Sequence, residues 1–342
     1  MTDAITEHAV NMLNAQQNQD KPFFLYVAYT APHWPLQAPA EEIVKYQGKY
    51  NMGWDSLRAS RYEKERELGI LGSESKFSPR DPDVEAWDTV SAKRKNEMSA
   101  KMAVYAAQID RLDQGIGKIL DKLDAIGKKE NTMVIFLSDN GGCAETGIWG
   151  FDRRKNGLPP GGVDSYMSYG QSWANASNTP FRFFKKWLHE GGISTPLIIR
   201  WPAAIPKERD GQIIKQVAHI IDVMPTFCEL TGARYPKKFN GKNILPFEGQ
   251  SLVPEIENGQ VQSHKPLYWP LNGHKAILLG DYKLEATSDT SSWELYNIQI
   301  DRSELNNIAG EYPDRVKSMA NMWRKWADKV GVFKGRTEKQ RE

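Results

Sequence analysis

The sequence predicts an α/β fold, and three observations support that prediction. Short apolar runs at residues 21–29 and 131–137 predict buried strands, because each is rich in branched and aromatic residues and ends in a loop. Between them, an apolar stripe with alternating spacings of three and four runs from Met98 to Leu123 and predicts a long surface helix. The order helix, strand, helix, strand favours a parallel sheet covered by helices.

The first elements follow from local signals. The chain begins with an amphipathic segment for which we expect a helix with Thr2 as N-cap, not a signal peptide. The strand at 21–29 runs into the loop 30–35, whose prolines can continue neither strand nor helix. Residues 41–97 are charged and weakly periodic, which indicates a long connecting segment that contains short helices.

Between the second strand and residue 262, an irregular stretch is followed by segments typical of a strand and of a helix. Residues 141–182 form a long irregular stretch rich in Gly, Asn, Ser and Pro, which we interpret as a candidate active-site wall. Residues 193–200 resemble another strand. Residues 217–232 predict a helix closed by Gly232.

The C-terminal part has a different pattern of apolar and turn residues. Beyond residue 263, four short apolar runs separated by turn residues predict a small antiparallel sheet, and a last amphipathic helix is expected from about Tyr312. We therefore divide the chain into a larger domain over residues 1–262, a small α+β subdomain over 263–333 and a charged tail over 334–342.

Composition excludes several classes of protein. Lys and Arg number 45 against 43 Asp and Glu, and this net charge of +2 is not gathered into a cationic block, so nucleic acid is not an expected partner. No stretch is apolar enough to span a bilayer. The two cysteines cannot form a disulfide framework. The 11 tryptophans and 13 tyrosines suit either sugar and aryl binding or the filling of gaps under long loops.

Polar groups follow both predicted strands. His33 comes just after the first, and Asp139 with Asn140 ends the second. Ligands collect at the carboxyl ends of parallel strands, and adjacent carboxylate and amide oxygens suit a hard cation such as calcium. The alternative is that Ser138–Gly142 is only a tight turn and that His33 packs in its loop.

A third group of polar residues precedes the predicted strand at 193–200. It is basic, comprising Arg182, Lys185, Lys186 and His189, and could hold an oxyanion. A solvated basic helix is the competing interpretation.

Taken in order, Ala31–His33, Ser138–Gly142 and Lys185 ahead of Glu190–Gly192 resemble the sulfatase family, arylsulfatase type, within the alkaline-phosphatase superfamily. The similarity runs from residue 2 to about residue 332. It implies an alkaline-phosphatase-like mixed sheet flanked by helices, of which residues 1–262 would be the C-terminal portion of the catalytic domain.

The resemblance also implies roles. The family hydrolyses sulfate esters with calcium, which Asp139 and Asn140 would ligate. His33 and Lys185 would be catalytic and would bind the sulfate, while Trp34 and His189 would line the substrate pocket. Phosphatase and phosphodiesterase relatives commonly carry histidine where Asn140 stands, so the amide favours sulfate esters over a phosphodiesterase or phosphonate hydrolase.

The chain departs from the family pattern in one major respect. The family motif Cys/Ser-x-Pro-Ser-Arg, whose first residue becomes the formylglycine nucleophile, does not occur in this sequence, nor do the paired aspartates of the first family strand. We therefore expect an N-terminally truncated chain that is inactive alone, with a separate N-terminal half as a possible partner. A non-catalytic remnant that binds sulfated glycans is the alternative. The full-length family member would be periplasmic or extracellular.

Overall fold

The computed structural model describes residues 1–72 and 74–333, so the predicted tail at 334–342 lies outside the described residues. The chain divides into two compact units, Met1–Ile198 with Asp301–Leu305, and Ile199–Ile300 with Asn306–Glu342. The division into domains at residue 262 stays a prediction. Among the described residues, no helix has both the length and the apolarity needed to cross a bilayer.

The first unit is mainly helical. Its elements are helices α1 (Thr2–Asn14), α2 (Ala40–Val44), α3 (Gly53–Glu67), α4 (Ala92–Ala125), α5 (Gly170–Ser177) and α6 (Glu190–Ile193), with strand β1 (Val134–Leu137). Strand β2 (Leu197–Arg200) is hydrogen-bonded to β1.

The long helix α4 confirms the prediction from the apolar stripe. It begins after Ser91, whose hydroxyl accepts a hydrogen bond from the backbone N–H of Arg94. Met98 is fully buried, and Leu112 and Leu123 are nearly so. The expected partner of this helix was a sheet, which is wrong: α4 packs mainly against α1 and α2.

Three tryptophans form the centre of the first unit. Trp54 contacts Trp87 and Trp173 edge to face, with ring centroids 4.6 and 5.6 Å apart. The indole N–H of Trp173 donates to the backbone oxygen of Met98 at 2.8 Å, so this buried polar group is satisfied. These rings fill space beneath the long loops, as one of the two interpretations of the tryptophan content proposed.

Three local predictions are wrong. Residues 21–30 form no strand, because no other described strand pairs with this segment, and Phe24 and Tyr26 are 74% and 80% exposed. Thr2 is the first residue of α1, whose N-cap is Met1, so its hydroxyl caps nothing. Helix α5 lies inside the stretch predicted to be irregular, because its Gly, Ser and Asn residues conceal a helix that is held by burial of Trp173 and its neighbours.

The second unit contains the predicted antiparallel sheet, in the order β5-β6-β7-β8. Its elements are α7 (Val223–Thr231), β3 (Lys238–Phe239), β4 (Lys242–Asn243), α8 (Val253–Asn258), β5 (Leu267–Leu271), β6 (His274–Leu279), β7 (Tyr282–Ala286), β8 (Glu294–Asn297) and α9 (Pro313–Val330). Ile277, Leu284 and Leu295 lie opposite one another across the strands, are fully buried and cluster with Met319 and Trp323 of α9. Both predicted C-terminal elements are therefore confirmed.

A buried ion pair joins two segments of the second unit. The carboxylate of Asp222, which is 0% exposed, accepts backbone N–H bonds from His219 and Gln250 at 2.8 Å and lies 3.0 Å from Nε2 of His264. Burial by itself would raise the pKa of Asp222, but these donors outweigh it and lower that pKa. Burial likewise opposes protonation of His264, yet the hydrogen bond to Asp222 raises its pKa overall.

This pair predicts a pH-dependent stability. His264→Gln is expected to lower the free energy of unfolding by about 3 kcal/mol near pH 6, since it leaves a buried carboxylate without its partner. The loss should shrink as the pH rises above 6.5 through the raised pKa of folded His264, and also as it falls below 3.8 through the lowered pKa of Asp222. Urea unfolding across this range checks it, with His8→Gln, at an exposed position on α1, as control. A loss that is constant with pH would contradict the assignment.

Candidate functional site

Two glycine pairs bring distant segments together in the first unit. The N–H of Gly141, just after β1, donates to the backbone oxygen of Gly192 at 3.0 Å. A Cβ on Gly141 would lie 1.9 Å from the backbone oxygen of Gly191, and a Cβ on Gly191 would lie 2.0 Å from that of Arg182. Only glycine permits such an approach, so the close packing of the two backbones requires glycine at positions 141 and 191.

Backbone bonds around Asn178 place Lys185 beside this contact. The N–H of Lys185 donates to the backbone oxygen of Gly142 at 3.0 Å. The side-chain oxygen of Asn178 accepts from the N–H of Gly142 at 2.9 Å, and its amide nitrogen donates to Phe183 at 3.0 Å. Sequence reasoning assigned no role to Asn178, since an asparagine in a Ser- and Asn-rich loop carries no distinguishing signal.

His33 and Lys185 meet, although they lie 152 positions apart in the chain. The Nζ of Lys185 is 3.3 Å from Nε2 of His33, and Nδ1 of His33 is 2.9 Å from the backbone oxygen of Trp34. A carbonyl oxygen only accepts, so the Nδ1 carries a proton and the Nε2 of the neutral ring faces the ammonium as an acceptor. No described carboxylate lies within ion-pair distance of Lys185, so its charge is available to an anion.

The neighbouring lysine is neutralised instead. Lys186 pairs with Glu145 at 2.7 Å, and the other carboxylate oxygen of Glu145 accepts from the indole N–H of Trp34 at 3.2 Å. The hydrogen bond from Lys186 lowers the pKa of Glu145 and in turn raises that of Lys186. Trp34 thus lies next to both His33 and a neutralised ion pair.

Asp139 and Asn140 present oxygen atoms after β1. The amide nitrogen of Asn140 donates to the backbone oxygen of Gly141 at 2.8 Å, which leaves its side-chain oxygen for another partner. Asp139 is exposed, and no described group bonds to its carboxylate. Two hard oxygens in sequence fit a calcium ion, but calcium takes about six to eight oxygens, so they would supply only part of its shell.

His189 is separated from the open surface. Its side chain is 1% exposed and lies 4.5 Å, ring centroid to ring centroid, from Phe183. Its place in the substrate pocket stays a prediction. The adjoining Glu190 receives the guanidinium of Arg302 at 3.4 Å, while its backbone N–H donates to Glu304 at 2.8 Å, so this turn is tied to residues 301–305 of the same unit.

Comparison with known proteins adds family-level findings. The sulfatase profile matches residues 1–233, and the profile of the C-terminal region of N-sulphoglucosamine sulphohydrolase matches residues 180–329. An uncharacterized sulfatase of Schizosaccharomyces pombe is 33% identical over 95% of this chain and 61% of its own length. The arylsulfatase of Klebsiella aerogenes is 32% identical over 68% of this chain and 51% of its own length. The chain thus spans roughly half to three fifths of these curated relatives.

Solved structures agree in fold. Ps i-CgsB in complex with a neocarrahexaose has a TM-score of 0.63 at 24% identity, covering 96% of this chain and 55% of that one. The phosphonate monoester hydrolase of Agrobacterium radiobacter has a TM-score of 0.56 at 17% identity, covering 93% and 59%. These likenesses confirm the predicted fold class of sulfatase and alkaline-phosphatase type.

The glycine contact gives a prediction for stability. Gly141→Ala is expected to lower the free energy of unfolding by about 2 kcal/mol or more, because its methyl group would overlap a backbone oxygen that cannot rotate away. Gly117→Ala is the control: it lies inside α4 with open space around it, and should raise stability by up to about 1 kcal/mol. Chemical denaturation compares the two. Equal effects would show that the close approach is not a constraint.

Proposed function

The chain belongs to the sulfatase family, and from that premise we propose that it carries the sulfate-binding side of a site that hydrolyses sulfate esters. The observation that carries this proposal is the pair formed by Lys185 and His33, with an ammonium 3.3 Å from an imidazole nitrogen and no carboxylate among residues 1–72 and 74–333 to neutralise it. Such a pair suits a tetrahedral oxyanion, which offers several acceptor oxygens to adjacent donors.

Hydrolysis breaks the bond between sulfur and the ester oxygen and gives an alcohol and sulfate. Negative charge grows on the leaving oxygen and on the sulfate oxygens as that bond lengthens. The ammonium of Lys185 would stabilise this charge, since the main chain of Lys185 is fixed by its bond to Gly142 and its Nζ already lies beside His33. His33 would donate from Nε2 to the same sulfate or to the leaving oxygen, which requires a proton on Nε2 in addition to the one on Nδ1.

A calcium ion would be held in part by the oxygens of Asp139 and Asn140. When bound, it would neutralise charge on a sulfate oxygen. An amide oxygen beside a carboxylate favours calcium over the zinc pair that an imidazole would serve. The same feature favours sulfate esters over phosphate or phosphonate esters, in spite of the fold likeness to a phosphonate monoester hydrolase.

The nucleophile would come from a segment outside these 342 residues. Two facts support this part of the proposal: the sequence contains no Cys/Ser-x-Pro-Ser-Arg, and the chain spans only 61% and 51% of its two closely matching relatives. Apolar side chains at the edge of the first unit are open to such a segment: Phe24 and Tyr26 are 74% and 80% exposed, and Phe136 of β1 is 38% exposed.

A sulfated carbohydrate is the substrate class we favour. One relative, 24% identical over 94% of this chain, is the N-acetylglucosamine-6-O-sulfatase of Bacteroides thetaiotaomicron. Trp34 beside His33 offers a partly buried aromatic ring at the position where a sugar or aryl group attached to the sulfate would lie.

Binding tests the anion site directly. Lys185→Gln should weaken the binding of 4-nitrophenyl sulfate by at least about tenfold, because a charge-assisted bond to the sulfate is lost. Lys93→Gln, which removes an exposed lysine on α4, is the matched control and should leave the affinity unchanged. Calorimetric titration measures both. Equal affinities for the two variants would overturn the assignment of Lys185.

The coding DNA upstream of Met1 tests the source of the nucleophile. We expect it to encode Cys/Ser-x-Pro-Ser-Arg, in this or another frame, and we expect the joined or co-expressed product to release 4-nitrophenol from 4-nitrophenyl sulfate. Faster turnover of a phenyl phosphonate would favour the phosphonate hydrolase. Sulfate-ester binding with no turnover in any such product would identify a sulfated-glycan-binding protein instead.

A further inference from the structure

The side chain of Arg153 lies over a cluster of three aromatic rings, one of which contacts His33. The guanidinium carbon of Arg153 lies 4.9 Å from the ring centroid of Trp34, 4.8 Å from that of Phe151 and 5.4 Å from that of Tyr166. Trp34 contacts both of the other rings, at 5.1 and 5.9 Å between centroids. We call this group, Arg153 with Trp34, Phe151 and Tyr166, the arginine platform.

The platform is held by the backbone. The N–H of Arg153 donates to the backbone oxygen of Tyr166 at 2.9 Å, and a β-bridge joins Asp152 to Met167. The N–H of Leu36 donates to Met167 at 3.0 Å, which ties this ribbon to the loop that carries His33 and Trp34. The position of Arg153 relative to Trp34 is therefore set by ordered main chain and not by a mobile side chain alone.

The charge of Arg153 is not neutralised. Arg153 is exposed, and among the described residues no carboxylate or carbonyl oxygen bonds to its guanidinium. Aromatic faces attract the cation and orient its plane without using its N–H donors. The carboxylate nearest to Trp34 in these contacts, Glu145, is already paired with Lys186. A planar fork of donors is thus left facing solvent.

From this geometry we infer that Arg153 binds a second anionic group of the substrate, on the sugar that carries the reacting sulfate or on its neighbour. The inference deepens the proposed function and rests on it. His33 lies 4.7 Å from Trp34 between ring centroids, and Arg153 lies at a similar distance from the same ring. Trp34 is therefore in contact with both the imidazole of the proposed sulfate site and the guanidinium of Arg153.

The chemistry of the second group is that of an oxyanion with two or more oxygens in one plane. A carboxylate or a sulfate ester satisfies this requirement, because either accepts two parallel N–H bonds from a guanidinium. A neutral sugar offers no such acceptor. The arginine platform thereby discriminates between singly and doubly charged sulfated sugars, and Arg153 is a specificity-determining residue with no part in bond breaking.

Three matched disaccharides test the inference by calorimetric titration: one with a single sulfate, one with a sulfate and a carboxylate on the adjoining sugar, and one with two sulfates. The wild-type chain should bind at least one of the doubly charged sugars about tenfold or more tightly than the singly charged one. The better of the two identifies the second group. Arg153→Gln should abolish the preference and leave the affinity for the single sulfate within about twofold.

Arg154→Gln is the matched control, since Arg154 is the exposed neighbour of Arg153 and contacts none of the rings. It should keep the preference. An equal loss in both variants would mean that general positive charge is responsible, and would overturn the assignment of Arg153. A wild-type chain that binds all three sugars equally would overturn this inference alone. One that binds none of them, and 4-nitrophenyl sulfate no better, would overturn the proposed function as well.

Discussion

The contact between the backbones of Gly141 and Gly191 is the constraint on which the candidate site depends. No side chain fills this contact, because backbone oxygens occupy the places where Cβ atoms would stand. Its stabilisation must therefore come from hydrogen bonds such as that from Gly141 to Gly192, and from the amide of Asn178, which is satisfied on both sides. The result joins the end of β1, where Asp139 and Asn140 lie, to the turn that carries Lys185.

Two adjacent lysines illustrate how the main chain distributes charge. Lys186 has φ of 83°, in the left-handed region, and lies in a turn with Lys185. Its side chain pairs with Glu145, whereas that of Lys185 contacts His33. One charge is neutralised within the protein, whereas no described carboxylate pairs with the other. The charge of Arg153 is likewise not paired with a described carboxylate. Aromatic rings hold its guanidinium in place without accepting hydrogen bonds from its N–H groups.

The secondary structure of strongly periodic segments was predictable from the sequence. That of segments whose structure depends on contacts with distant parts of the chain was not. The stripe along α4, the short apolar runs separated by turn residues beyond residue 263 and the last helix carried their own local evidence, and each predicted element is present. Residues 21–29 have the composition of a buried strand, yet a strand exists only where a second one supplies hydrogen bonds. Helix α5 shows the converse, because its formation depends on burial of Trp173 rather than on helix propensity.

What the sequence by itself determined is the set of chemical groups and their order: His33, then Asp139 with Asn140, then Lys185. That order sufficed for the family and for the fold class. Only the tertiary structure showed that Nζ of Lys185 lies against His33, that Asn178 bonds to both segments, and that Arg153 packs over Trp34. These contacts join residues separated by as many as 152 positions, and long loops follow paths that are set by such distant partners and leave no periodic trace in the sequence.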